Sequence, residues 1–70
     1  AGEGARALLH RLFDEARSRG IRTAYLEVRT RNAPARALYA DEGFTQVEFL
    51  PNNYPTPPDD GLRLAVALCP

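Results

Sequence analysis

Three features of this 70-residue sequence predict an α/β fold, a mixed and incomplete sheet with elements in the order helix, strand, helix, strand, strand. From Ala5 onward, the apolar residues Leu8, Leu9, Leu12, Phe13 and Ala16 recur at the spacing of one helix face. The segment "TAYLEVR" alternates, placing Ala24, Leu26 and Val28 on one face and Tyr25, Glu27 and Arg29 on the other. Between Asn32 and Gly43, "NAPARALYADEG" carries a cap, an early proline and a glycine stop.

Helix one is expected over about Ala5 to Arg19, with Arg17 and Arg19 at the negative end of its dipole and Gly20 as a left-handed C-cap. The first strand follows Ile21. In the second helix Asn32 serves as N-cap, and Pro34 sits in the first turn, where a missing N–H costs nothing. "FTQVEFL" and "GLRLAVAL" read as two further strands, paired antiparallel around a long loop, "PNNYPTPPDDG". No repeat or linker divides the chain. So few strands cannot cover helix one, so the expectation is that others, upstream or from a second chain, complete the sheet.

Composition excludes several classes of function. Nine arginines balance nine acidic residues, so no overall field draws the chain to nucleic acid or to a membrane surface. No apolar run approaches the ~18 residues of a membrane-spanning helix. One cysteine, Cys69, allows no internal disulfide; it reads as a packing contact or frayed thiol, and a reducing, cytoplasmic setting is expected. With one histidine and one cysteine far apart in sequence, no metal site is expected. His10, beside the apolar stripe, reads as a surface or packing residue. Eight of the nine arginines precede Ala37, so an anionic ligand favours the first half.

"AGEGARALL" sets Gly2 and Gly4 directly before a helix start, where unpaired N–H groups and the positive dipole end suit a phosphate; Arg6 adds charge. Glu27 and Tyr39, one on a strand and one on the next helix, are expected on opposite walls of a single cleft. Apolar walls would raise the carboxyl pKa toward that of a useful base, while Arg29 would lower it. A tyrosine hydroxyl can protonate a leaving thiolate. The alternatives are a solvated glutamate paired with arginine and a ring filling the gap between helix and sheet.

The stretch "RALLHRLFDEARSRGIRTAYLEVRTRNAPARALYADEGF" resembles the GCN5-related N-acetyltransferase (GNAT) family, and within it the bacterial ribosomal-protein N-alpha-acetyltransferases. "NNYPTPPDDGLRLAVAL" is similar to that group's "NYYP" loop and last strand. The resemblance implies that residues 1–70 are the C-terminal part of one GNAT domain, with acetyl-CoA as co-substrate and a protein N-terminal amine as acceptor. It implies that the backbone of Gly4, Ala5 and Arg6, or of Gly2 and Gly4 in a shifted register, holds the pyrophosphate, and that Asn32 contacts the pantetheine arm. By the same resemblance Glu27 is the general base, Tyr39 the general acid, and Tyr54 part of the loop over the acceptor peptide. Two positions depart from the pattern: Glu3 replaces the first motif glycine, and Asn53 replaces a tyrosine. A small-molecule amine acetyltransferase and a truncated CoA-binding or packing module are the other readings.

Overall fold

The computed structural model describes residues 2–68, with side chains from Gly4 onward. Helix α1 spans Gly2–Ser18, strand β1 Thr23–Arg29, helix α2 Ala33–Asp41, strand β2 Thr45–Pro55 and strand β3 Pro58–Ala67. The element order is the expected one. The glycines, however, lie within the first turn of α1 rather than ahead of it. Glycine in a helix costs about 0.5–1 kcal/mol relative to alanine, which the packing of Leu9, Phe13 and Ala16 offsets further along. Cys69 lies outside the described residues.

At the end of α1 the N–H of Ile21 reaches the carbonyl of Ala16 and that of Gly20 the carbonyl of Arg17, each at 3.0 Å, while Gly20 takes φ +80°. This is a Schellman motif, and it returns the chain toward the sheet. Strand β1 alternates as predicted, with Val28 buried at 5% exposure. Asn32 caps α2, its Oδ1 accepting from the N–H of Ala35 at 3.3 Å. Gly43, at φ +93°, ends that helix and delivers Phe44 into the core.

The strand order is β1-β3-β2, with both pairings antiparallel. The expected long loop is absent, because β2 and β3 run on until only Thr56 and Pro57 remain between them. Prolines that signal a loop in sequence are tolerated here because β2 is an edge strand. Two irregularities absorb the mismatch in length. Gln46 and Glu48 oppose the adjacent Leu64 and Arg63, so Val47 is an extra residue. Leu50 and Tyr54 oppose Gly61 and Asp59, so the second bulge holds two more residues on β2 than on β3. Asn52 in this bulge adopts φ 54°, a conformation asparagine tolerates, and its N–H bonds to Asp60 Oδ1 at 2.8 Å.

Phe13, Val28, Phe44, Leu62, Leu64 and Leu68 form the core, joined by Leu9, Ala35 and Tyr39 from the two helices. Both helices therefore pack on the same sheet face. Glu27, Glu48 and Arg63 project from the other. Leu8 and Leu12 remain 59% and 58% exposed, so three strands do not cover the apolar stripe of α1.

Candidate functional site

Strand β1 is an edge of the sheet among the described residues; Glu27 lies on it and Asn32 just after it, while Arg6 at the start of α1 lies against the end of α2. The turn after β1 is pinned to the start of β3: the Thr30 hydroxyl donates to Asp59 Oδ1 at 2.6 Å, and the Thr30 N–H to the Asp60 carbonyl at 3.1 Å. The Thr30 bond, the leading cause, holds the Asp59 carboxyl below the usual carboxylate range. This anchoring fixes Asn32. With its oxygen engaged in capping α2, the Asn32 amide retains its NH2 donors for an outside group.

Tyr39 lies on the helix face of the sheet. Its ring meets Phe44 edge-on at 5.5 Å between centroids, and it lines a hollow with Leu9, Ala24 and Leu26. Its hydroxyl has no hydrogen-bond partner among the described residues. Glu27 lies on the opposite face, because β1 turns Leu26 and Val28 toward the helices and Glu27 away from them. The expected shared cleft with Glu27 and Tyr39 on facing walls is therefore corrected: the two residues flank the β1 edge from opposite faces of the sheet.

The neighbours of Glu27 also differ from those expected. Asn53 Nδ2 donates to Glu27 Oε1 at 3.0 Å and Arg63 Nη2 to Oε2 at 3.2 Å. These bonds, that of Asn53 foremost, hold the carboxyl below its ordinary value and outweigh the opposing effect of burial. Arg29 is committed elsewhere. Its guanidinium donates to the carbonyls of Pro57 and Thr56 at 2.7 and 3.2 Å and stacks 4.4 Å over the Tyr54 ring, tying Tyr54 to the hairpin. Sequence reasoning missed Arg63. Its place in the alternating "GLRLAVAL" makes it an outward residue, but pairing it with Glu27 requires the strand register.

At the start of α1 the first N–H groups have no intrahelical partner, and that of Gly4 is among them, whereas Ala5 already lies where the helix ladder begins. A Cβ on Gly4 would meet nothing within 4 Å, so the chain leaves space there. The Arg6 guanidinium is turned to the end of α2, donating to Glu42 Oε2 at 2.9 Å and Asp41 Oδ2 at 3.1 Å, while His10 also pairs with Glu42. In this arrangement the Arg6 charge serves to join the helices.

Among the described residues no group of three or more His, Cys, Asp or Glu could hold a metal ion. No described helix is long and apolar enough to cross a membrane.

A model of the acetyltransferase (GNAT) family matches residues 2–44. The [ribosomal protein bS18]-alanine N-acetyltransferase of Escherichia coli K12 is 51% identical over 63 residues, 90% of this chain and 41% of the relative. The crystal structure of the E. coli ribosomal-protein-S18-alanine N-acetyltransferase superposes with TM-score 0.85 at 42% identity, covering 93% of this chain and 43% of that one. A putative acetyltransferase, yncA, from Salmonella typhimurium, solved with its cofactor acetyl-CoA, matches with TM-score 0.80 at 29% identity over 91% of this chain and 38% of its own. The chain thus spans about two fifths of the length of these relatives.

Proposed function

Because the chain belongs to the GNAT acetyltransferase family, we propose that it is the C-terminal part of a domain that moves an acetyl group from acetyl-CoA to a protein N-terminal amine. The observation that supports this reading is that Glu27 and Tyr39 lie on opposite faces of β1, an edge strand among the described residues, with the Asn32-capped start of α2 following it. Acetyl-CoA supplies an activated acyl group. Its pantetheine arm contains amides, which suit the unpaired peptide groups along β1 and the NH2 of Asn32. The N–H groups of Gly2 and Gly4 suit its pyrophosphate, and Arg6 would need to leave Asp41 and Glu42 to add its charge.

The residues divide the proton chemistry. Glu27, directly or through one water, takes a proton from the acceptor nitrogen as the new C–N bond forms. Tyr39 donates its phenolic proton to the sulfur as the C–S bond breaks. Tyr54, stacked with Arg29 at the hairpin, is proposed to contact the acceptor. The reaction is proposed for the cytoplasm and needs no metal. The strand beside β1 is proposed to come from another part of the same domain or from a partner chain.

Because the Glu27 carboxyl lies below its ordinary value, it is ionised throughout the neutral range. The acidic limb of the kcat/KM profile should therefore follow the acceptor ammonium, near ~8 for an α-amine. A base with depressed affinity for protons gives less assistance, so Glu27→Gln in the complete natural chain should lower kcat about a hundredfold, the low end for such catalysis. The dissociation constant of acetyl-CoA, measured by calorimetry, should not move. An unchanged kcat would remove Glu27 from the reaction.

A second reading, acetylation of a small-molecule amine, is favoured by Asn53 beside the site in place of an aromatic residue. A third, a module that binds CoA weakly or only packs, is favoured by the engagement of Arg6 with two carboxylates. Thiol release with a peptide amine and with a diamine separates the first two; no binding at millimolar acetyl-CoA leaves only packing.

A further inference from the structure

We propose that Asn53 and Arg63 form a two-point clamp that fixes the orientation and proton affinity of the Glu27 carboxylate, and that Gly61 provides the clearance the clamp requires. The catalytic consequence rests on Glu27 acting as the base; the clamp itself does not.

The three residues come from three strands, and each is placed by a separate feature of the sheet. Register sets Arg63 on β3 directly opposite Glu27 on β1. Asn53 belongs to β2, which is not adjacent to β1, so its side chain must cross β3 to reach Glu27. The two-residue bulge between Leu50 and Tyr54, pinned by the bond from Asn52 to Asp60, leaves Asn53 without a directly opposed residue on β3. Asn53 then passes over Gly61. A Cβ on Gly61 would stand 2.9 Å from Asn53 Nδ2, 3.0 Å from its Cβ and 3.2 Å from its Cγ. Gly61 is not at positive φ, so the absence of a side chain is needed for space rather than for backbone conformation.

The clamp takes one oxygen each, Nδ2 of Asn53 on Oε1 and Nη2 of Arg63 on Oε2. The carboxylate is thereby held in one plane, with its remaining lone pairs free for the amine or a bridging water. The other charged and titratable groups on this face are accounted for. Glu48 of β2 shares the second arm of Arg63, Arg29 is committed to the hairpin carbonyls and to Tyr54, and Tyr25 lies two residues before Glu27. The helices pack on the other face. Asn53 and Arg63 are thus positioning residues that act through Glu27.

The test is a pH titration of the Glu27 side-chain carboxyl by carbon-13 NMR in the complete natural chain, for the native protein and for Asn53→Ala, Arg63→Ala and Gly61→Ala. The midpoint should rise in all three, with Gly61→Ala matching Asn53→Ala because it removes the same contact. Arg63→Lys should restore part of the Arg63→Ala shift, and added salt should weaken the Arg63 contribution alone. In kinetics, the lost orientation of the carboxylate should outweigh its gain in basicity, so that kcat falls in each variant with the KM for acetyl-CoA unchanged. Midpoints in Asn53→Ala and Arg63→Ala equal to the native one would overturn the clamp. Midpoints that rise while kcat stays level would uphold it and instead remove Glu27 as the base.

Discussion

Replacing Tyr39 by Phe in the complete natural chain should lower kcat by about 10² to 10⁴-fold, the range lost with a general acid, while the acetyl-CoA dissociation constant changes little. The substitution removes one oxygen and leaves the ring where it is. That ring rests edge-on against Phe44 and beside Leu9 and Leu26, and these contacts do not involve the hydroxyl. Since the hydroxyl has no partner among the described residues, its loss strands no buried donor or acceptor, and thermal stability should be nearly native. A second readout follows from the role assigned. Leaving groups that need no proton, such as an acetyl thioester of a more acidic thiol, should recover much of the lost rate. Native kcat in Tyr39→Phe would end the acid assignment, and a fall in melting temperature equal to that of a core truncation would make it structural.

The second large effect concerns Phe44. This residue is 7% exposed, touches Phe13 at 5.9 Å between ring centroids and supports Tyr39 at 5.5 Å. Truncating a buried phenylalanine costs about 3–5 kcal/mol, through lost transfer energy and the cavity left behind. Phe44→Ala should therefore lower the unfolding free energy, measured in urea, by that amount. It should also reduce kcat, because Tyr39 loses the wall that sets its ring angle. Phe44→Leu keeps most of the volume and should recover stability more fully than rate. A double-mutant cycle with Tyr39→Phe should then show coupling in kcat, since both changes act on one hydroxyl.

What could be read in the sequence was local. The stripe of α1, the alternation of β1 and the Asn32 cap each depend on neighbours within a few positions, and each is where the pattern puts it. The antiparallel pairing of the last two strands was legible but their length was not, because Pro51 and Pro55, which mark a loop in sequence, are accommodated on the edge strand β2 beside a bulge, and Pro58 at the first position of β3. The alternation of β1 already separated Glu27 from Leu26. What it left open was which face the second helix would cover, and that choice is made by Ala35 and Tyr39 packing into the core. The partners of Glu27 depend on register across three strands and on the clearance at Gly61, neither of which any short window of residues reveals.

The free margin of β1 has a further consequence. Its outward peptide groups are the same donors and acceptors that a pantetheine arm would use, and they are equally fit for the backbone of any extended segment in reach. On the proposed site, ligand and neighbouring strand would compete for one narrow strip, so concentrating these seventy residues by themselves should favour self-templated ribbons over a vacant groove.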